Sequence, residues 1–174
     1  MMPFTNNQID IAMLPKVEDV ILESISPKYF RILIFNTVIL YALFIASITI
    51  LSTFVDSDSF LSHVFWYLTS ILIISCLIQI FIYKLGFKKR KYALREQDII
   101  YSHGFFNNET TTLPFNRIQH IEISRTFIER KIGLSTLKIF SAGESGGDIS
   151  IKGLPRSIAD AQYAFLTKIL NDRL

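Results

Sequence analysis

The side chains that could do chemistry in this sequence are mainly basic and amide groups. Arg117 and Gln119 stand two positions apart in an alternating segment, which puts both on one face of a strand. Arg130 and Lys131 follow in a short helical segment. We predict that these four residues form an interaction surface for a partner protein or a lipid headgroup. Alternatively, Gln119 and Arg130 could have a structural role and fix the intervening loop by binding backbone carbonyls.

A second group is a run of basic residues directly after a long apolar segment: Lys88, Lys89, Arg90 and Lys91. Residues 1–83 carry three basic and six acidic side chains, whereas residues 84–174 carry fifteen basic and nine acidic ones. A basic residue held beside an anionic leaflet contributes roughly 1 kcal/mol. We therefore predict that the run faces lipid. Nucleic acid is not an expected partner, because no nucleic-acid module accompanies the charge.

Catalytic chemistry is not indicated. His63, His103 and His120 are scattered without metal-ligand spacing, and the single cysteine, Cys76, lies in an apolar segment. The sequence contains no phosphate-binding glycine loop, nucleophile elbow or paired cysteine motif. We predict no catalytic residues, no cofactor and no metal site.

These groups must be positioned around two long apolar segments within residues 32–83, which an acidic break at Asp56 and Asp58 separates. A helix needs ~20 mostly apolar residues to cross a bilayer, and both segments are long enough. We predict five parts: a cytoplasmic lead-in (1–29), a first span (30–55), an external turn (56–60), a second span (61–84) and a cytoplasmic domain (85–174).

Basic residues flank both outer ends of this hairpin. Lys28 and Arg31 precede the first span, and Lys84 and the basic run follow the second, whereas the turn between them is acidic. Short segments rich in Lys and Arg stay in the cytoplasm. We predict a multi-pass protein of the inner (cytoplasmic) membrane of a bacterium, with both termini cytoplasmic and the lipid bilayer as a partner.

Two polar residues lie inside the spans at matching depth. Asn36 comes five positions after Arg31, and Gln79 comes five before Lys84. We predict that Asn36 and Gln79 hydrogen-bond across the hairpin, a contact typically worth about 0.6 kcal/mol. Alternatively, both amides reach the lipid headgroups.

The lead-in permits two interpretations. Residues 17–24 could form a short helix that lies on the membrane surface and touches the cytoplasmic domain. Alternatively, they form a loosely ordered segment.

The residues after the second span change to short β-rich runs. Six strands are predicted. The first ends at residues 92–94, and the others comprise residues 99–106, 109–113, 117–125, 134–141 and 148–152. Asn107 and Asn108 form a two-residue turn, and residues 143–147 form a hairpin loop.

Two helices complete the predicted domain. A short helix lies between the fourth and fifth strands and ends at Gly133. An amphipathic helix begins near Pro155, with Ile158, Ala161, Phe165, Leu166 and Ile169 on its apolar side. The fold class is an α+β membrane protein, in which a helical hairpin precedes a curled sheet covered by a C-terminal helix.

The segment from residue 113 to 143, LPFNRIQHIEISRTFIERKIGLSTLKIFSAG, resembles the bacterial pleckstrin-homology-like (PH-like) domain of the membrane-flanked type, a domain of unknown function. The residues that carry the resemblance are Pro114, Arg117-Ile118-Gln119, Ile121, Ile123, Phe127-Ile128, Arg130, Gly133-Leu134 and Ala142-Gly143, with Tyr92, Leu94 and Gly104-Phe105-Phe106 upstream.

The resemblance implies a bent seven-strand barrel capped by a C-terminal helix. Six strands are evident, and we expect residues 87–94 to hold either an extra strand or a longer first strand. Eukaryotic relatives of the fold often bind phosphoinositides near the first strand turn. Here residues 95–98 have mixed charge, which does not favour that ligand.

Three functions are compatible with these patterns. The favoured hypothesis is a non-enzymatic scaffold that binds another membrane protein, such as a longer relative with the same domain. The alternative is a lipid or envelope-stress sensor that binds anionic lipid through the basic run. An enzyme is disfavoured, because no convergent acid, base or nucleophile can be paired.

Overall fold

A computed structural model gives the fold and describes residues 20–55, 59–105, 107–142 and 147–172. Residues 56–58 of the predicted external turn (56–60) and most of the predicted loop at 143–147 lie outside the described residues. The elements in chain order are β1 (Glu23–Ser24), α1 (Pro27–Ser52), α2 (Phe60–Phe87), β2 (Lys91–Leu94), β3 (Asp98–His103), β4 (Glu109–Pro114), a 3-10 turn (Phe115–Arg117), β5 (Ile118–Ser124), α3 (Phe127–Ile132), β6 (Leu134–Ser141), β7 (Ile149–Pro155) and α4 (Arg156–Asn171).

The two apolar helices form an antiparallel pair. Their 26 and 28 residues correspond to about 39 and 42 Å, more than the ~30 Å core of a bilayer. Ser26 and Ser59 cap their N-termini, and most of their large apolar side chains are exposed, as expected for helices that face lipid. Both helices extend three residues beyond the predicted spans toward the β-rich domain, called the head below (residues 88–172).

A hydrogen bond between the spans lies deeper than predicted. Tyr41 Oη and Ser75 Oγ are 2.9 Å apart, whereas no hydrogen bond joins Asn36 to Gln79 in the described chain. The Tyr41–Ser75 contact does place Asn36 and Gln79 at similar depths. However, a helix turns 100° per residue, so Asn36 lies about 140° around α1 from Tyr41, and its side chain is exposed.

The head and β1, which precedes the spans in the chain, together form two antiparallel sheets, in the orders β1-β2-β3-β4 and β5-β6-β7. All six predicted strands are present. The β3–β4 connection is longer than the predicted two-residue turn, because the strand pairing ends at His103 and Glu109. Gly104, with φ +109°, begins this connection.

The seventh strand, β1, comes from the segment that precedes the membrane hairpin in the chain. In β1, Glu23 pairs with Tyr92 and Ser24 pairs with Lys91. Residues 87–94 therefore hold no extra strand, but they do hold a longer first strand, because β2 begins at Lys91 and ends at Leu94. The predicted helix at residues 17–24 is also wrong at its end, where β1 forms; residues 17–19 lie outside the described residues. The hairpin is thus an insertion between neighbouring strands.

The joint between the hairpin and the head is closely packed. Ile25, Tyr29 and Ile32 are 3%, 7% and 7% exposed and belong to the core of the head. The Ser26 N–H donates to the carbonyl of Gly153 at 3.0 Å. Gly153 has φ +79°, and a Cβ there would lie 2.5 Å from the Tyr29 side chain. Only glycine therefore fits this close approach.

The C-terminal helix packs on the second sheet through a face that includes the predicted Leu166 and Ile169 but leaves the predicted Ala161 exposed. Ala159 and Leu166 are buried, and Ile169 and Leu170 pack on the core, whereas Ile158 and Phe165 are 38% and 42% exposed. The true face is rotated by about one residue, because Ala159 rather than Ile158 begins it.

Candidate functional site

Arg117 and Gln119 lie at the end of the head that is remote from the spans. Strand β2 leads away from α2, and the Phe115 N–H donates to the carbonyl of Gln97, in the turn after β2, at 2.9 Å. The 3-10 turn that ends with Arg117 therefore lies at this distal end. Both side chains are exposed, and the β5–β6 register shifts at Gln119.

A distal groove of about 430 Å³ opens beside Arg117. It runs between the β2–β3 turn, the 3-10 turn and the end of α4, and its lining includes Gln97, Pro114, Asn116 and Ile169. Such a groove, open and of mixed polarity, suits a peptide segment better than a reacting small molecule.

Arg130 and Lys131 lie at the opposite, membrane-proximal end of the head. Both are exposed on α3, which packs against α1. Strand β5 separates them from Arg117, and its seven residues span roughly 23 Å. The structure therefore divides the predicted four-residue surface into a distal pair and a proximal pair.

The loop-fixing role considered for Gln119 and Arg130 belongs to Glu129. This buried carboxylate, 4% exposed, accepts hydrogen bonds from the Thr126 N–H at 2.8 Å and the Thr136 hydroxyl at 2.9 Å. Thr126 in turn caps α3, and Gly133 with φ +73° ends it. The sequence signal was present, because Thr-x-x-Glu is the pattern of a capping box.

The basic run does not form one surface. Lys88 and Lys89 are exposed, and Lys89 Nζ donates to the carbonyl of Phe105 at 3.3 Å. Arg90 is half-buried, and Lys91 lies within β2, where it pairs with Ser24 and Ser102. Two of the four predicted lipid-facing cations are therefore partly withdrawn into the head.

Arg90 lines a polar cleft of about 360 Å³ between β3, β4 and β7. Lys152 and the carboxylates of Glu109 and Asp148 also line it, so the cations and anions balance. His103 Nε2 is 3.9 Å from a Glu109 carboxylate oxygen.

Two aromatic rings border the same cleft. Tyr101 stacks on His103 with 5.0 Å between ring centroids. Burial raises the pKa of the Tyr101 hydroxyl, and the positive charge of the nearby Arg90 partly offsets this increase. The described residues contain no group of three His, Cys, Asp or Glu side chains that could hold a metal ion.

A hydrogen bond ties the lead-in to the head. The Tyr92 hydroxyl donates to Glu23 Oε2 at 2.9 Å, across the β1–β2 pair. Burial and this carboxylate raise the pKa of Tyr92 to about 12. No sequence signal links these residues, which are 69 positions apart.

Comparisons with known proteins agree with this architecture. The family model described as Bacterial PH domain matches residues 30–173. The chain is also similar to the UPF0699 transmembrane protein YdbT of Bacillus subtilis (strain 168), with 32% identity over 98 residues, 53% of this chain and 20% of the relative. The chain thus aligns with only a fifth of that relative's length. No solved structure matches the present chain. Since the family match includes both spans and nearly the whole head, this membrane protein belongs to the bacterial PH domain family.

Proposed function

We propose that this protein is a non-enzymatic interaction module of the bacterial inner membrane, which binds another membrane protein through the distal end of its head. The observation that carries the proposal is the packed joint formed by Ile25, Tyr29 and Gly153. A head held in this way cannot turn freely relative to the spans. It presents Arg117, Gln119 and the distal groove at a fixed height from the bilayer.

A partner confined to the same membrane gains most from such an arrangement. Confinement fixes its distance and orientation, so that the second contact becomes effectively intramolecular. The relative YdbT is named a transmembrane protein and is about five times as long as the aligned segment. A longer family member of this kind is the partner that we propose.

The proposed orientation places both termini and the head in the cytoplasm. Arg31 and Lys84 lie at similar depth on the antiparallel helices, and Lys88 and Lys89 are exposed where α2 ends. Basic residues are thus concentrated on the side of the head, which supports the cytoplasmic orientation.

The partner proposal is tested by site-specific photocrosslinking of the full-length protein in its native membrane. A photoreactive residue at Gln119 should yield one discrete adduct with a second family member, and the same residue at Tyr163 on α4 should not. Adducts with lipid alone, or equal protein adducts at both positions, would contradict the proposal.

A charge-reversal variant provides a second test in the same crosslinking experiment. Arg117→Glu should reduce the Gln119 adduct, whereas Arg156→Glu, at another exposed arginine near the opposite end of the head, should leave it unchanged. If both variants crosslink like the parent, Arg117 takes no part in binding.

Lipid sensing through the basic run is the second candidate function, and the exposure of Lys88 and Lys89 at the end of α2 favours it. Attraction to anionic lipid weakens with salt. The intact protein, reconstituted with and without phosphatidylglycerol, should then show a salt-sensitive change in protease protection at residues 88–89. Equal protection in both lipids would exclude this function.

A further inference from the structure

The most exposed large apolar side chain in the described head is Phe127, which is 64% exposed. The next ones, Phe165, Ile158 and Tyr163, are between 37% and 42% exposed and lie on α4. Phe127 is the first residue of α3, which packs against the membrane helix α1. The apolar ring is therefore displayed at the end of the head nearest to the spans.

The depth of α3 relative to the bilayer follows from its packing. Ile128 and Ile132 pack on the core of the head, and so does Leu33 of α1. Leu33 lies two residues beyond Arg31, the last basic residue of α1. Since α3 contacts α1 and packs on the same core as Leu33, it lies beside the first turns of α1, at the level of the lipid headgroups.

The outward side of α3 also carries positive charge. Arg130 and Lys131 are exposed, and neither has a carboxylate within 4 Å in the described chain. Lys131 Nζ lies 4.9 Å from the centroid of the Phe127 ring. The Thr126–Glu129 capping box and Gly133 fix both ends of the helix, so this group is held in place before any partner arrives.

We propose that α3 is an interfacial wedge: the Phe127 ring enters the boundary between headgroups and acyl chains, and Arg130 and Lys131 bind the phosphates of anionic lipids. Aromatic rings and basic side chains are the groups that favour this layer. The partner of this surface is lipid, because α1 enters the bilayer beside α3, which places Arg130 and Lys131 at the layer of lipid phosphates. The wedge lies at the opposite end of the head from Arg117 and does not depend on the proposed protein partner.

The depth of Phe127 can be measured in the full-length protein. Trp66 is the one tryptophan of the sequence, so Trp66→Phe gives a silent background into which Phe127→Trp is introduced. In vesicles of phosphatidylcholine and phosphatidylglycerol, brominated acyl chains should quench this probe and its emission should be blue-shifted. Phe165→Trp is the matched control, because Phe165 packs on Phe115 at the distal end, and its emission should not be quenched. Absence of quenching at position 127, or equal quenching at both positions, would overturn the proposal.

The charge contribution is measured in the same background. Quenching of the F127W probe should be stronger with phosphatidylglycerol than with phosphatidylcholine alone. The double change R130Q/K131Q should remove that difference, whereas R95Q/K168Q, which removes two exposed basic side chains at the distal end, should preserve it. A lipid dependence that persists in R130Q/K131Q refutes headgroup binding by α3. Thermal unfolding of each variant verifies that the head remains folded.

Discussion

The head should be unable to fold by itself when it is cut away from the membrane hairpin. A fragment of residues 88–172 lacks β1 and the buried side chains Ile25, Tyr29 and Ile32. Burying an aliphatic or aromatic side chain stabilises by about 1.5–3 kcal/mol, so the loss amounts to roughly 5–9 kcal/mol. A whole domain is stable by only about 5–15 kcal/mol. We therefore expect the fragment to be largely unfolded.

Folding should be restored in a single chain in which residues 20–32 are joined to residues 88–172 by a flexible linker. Neighbouring helices are about 8–10 Å apart, and a Gly-Ser linker of about eight residues has a mean reach of roughly 16 Å, so it can close the gap. Near-UV circular dichroism and urea unfolding should show a folded head in the linked fragment. The matched control carries Ile25→Asp and Tyr29→Asp and should unfold like the bare fragment. If residues 88–172 alone unfold at the same urea concentration as the linked fragment, the reasoning about the joint is wrong.

Three further predictions concern the full-length protein, with unfolding followed in detergent. Gly153→Ala should destabilise the head by about 2 kcal/mol or more, because a Cβ at φ +79° meets Tyr29; an unchanged melting temperature would contradict the close approach. Since the pKa of Tyr92 is raised to about 12 from 10 in the unfolded chain, its pH-dependent contribution to stability, at most about 3 kcal/mol, should be complete below pH 10 and lost as the pH rises to 12. Tyr92→Phe should flatten this part of the stability–pH curve, and an identical curve would refute the assignment. Glu129→Ala should lower the free energy of unfolding by about 1–3 kcal/mol, and Glu129→Gln should lower it less, because the amide oxygen can still accept one hydrogen bond. Equal losses of stability in the two variants would show that accepting hydrogen bonds is not the main role of the side chain.

Local signals accounted for most of the fold. The spans, the six strands and the capped helix α3 follow from apolar length, alternation and the Gly133 cap, all of which act within a few residues. Strand β1 could not be found in this way, because it has two residues and its partner is separated from it by the entire hairpin. Its pairing depends on tertiary contact rather than on β-propensity.

The positions of the candidate residues were predicted less well than the elements that carry them. Sequence proximity suggested that Gln119 and Arg130 share a surface, but β5 holds them at opposite ends of the head. Likewise, matching depth suggested that Asn36 and Gln79 meet, but depth along a helix does not determine the direction of a side chain. In both cases the missing information was the orientation of one element relative to another.

The insertion of a membrane hairpin between two neighbouring strands is sterically simple. An antiparallel strand pair needs its chain ends about 5 Å apart, and a packed antiparallel helix pair delivers its own ends about 8–10 Å apart. The short segments between β1 and α1 and between α2 and β2 bridge this small difference. Once the hairpin has formed in the bilayer, β1 and β2 meet without the entropic cost of closing a long flexible loop. The spans therefore do more than anchor the head: in the intact chain they bring together the first two strands of the sheet.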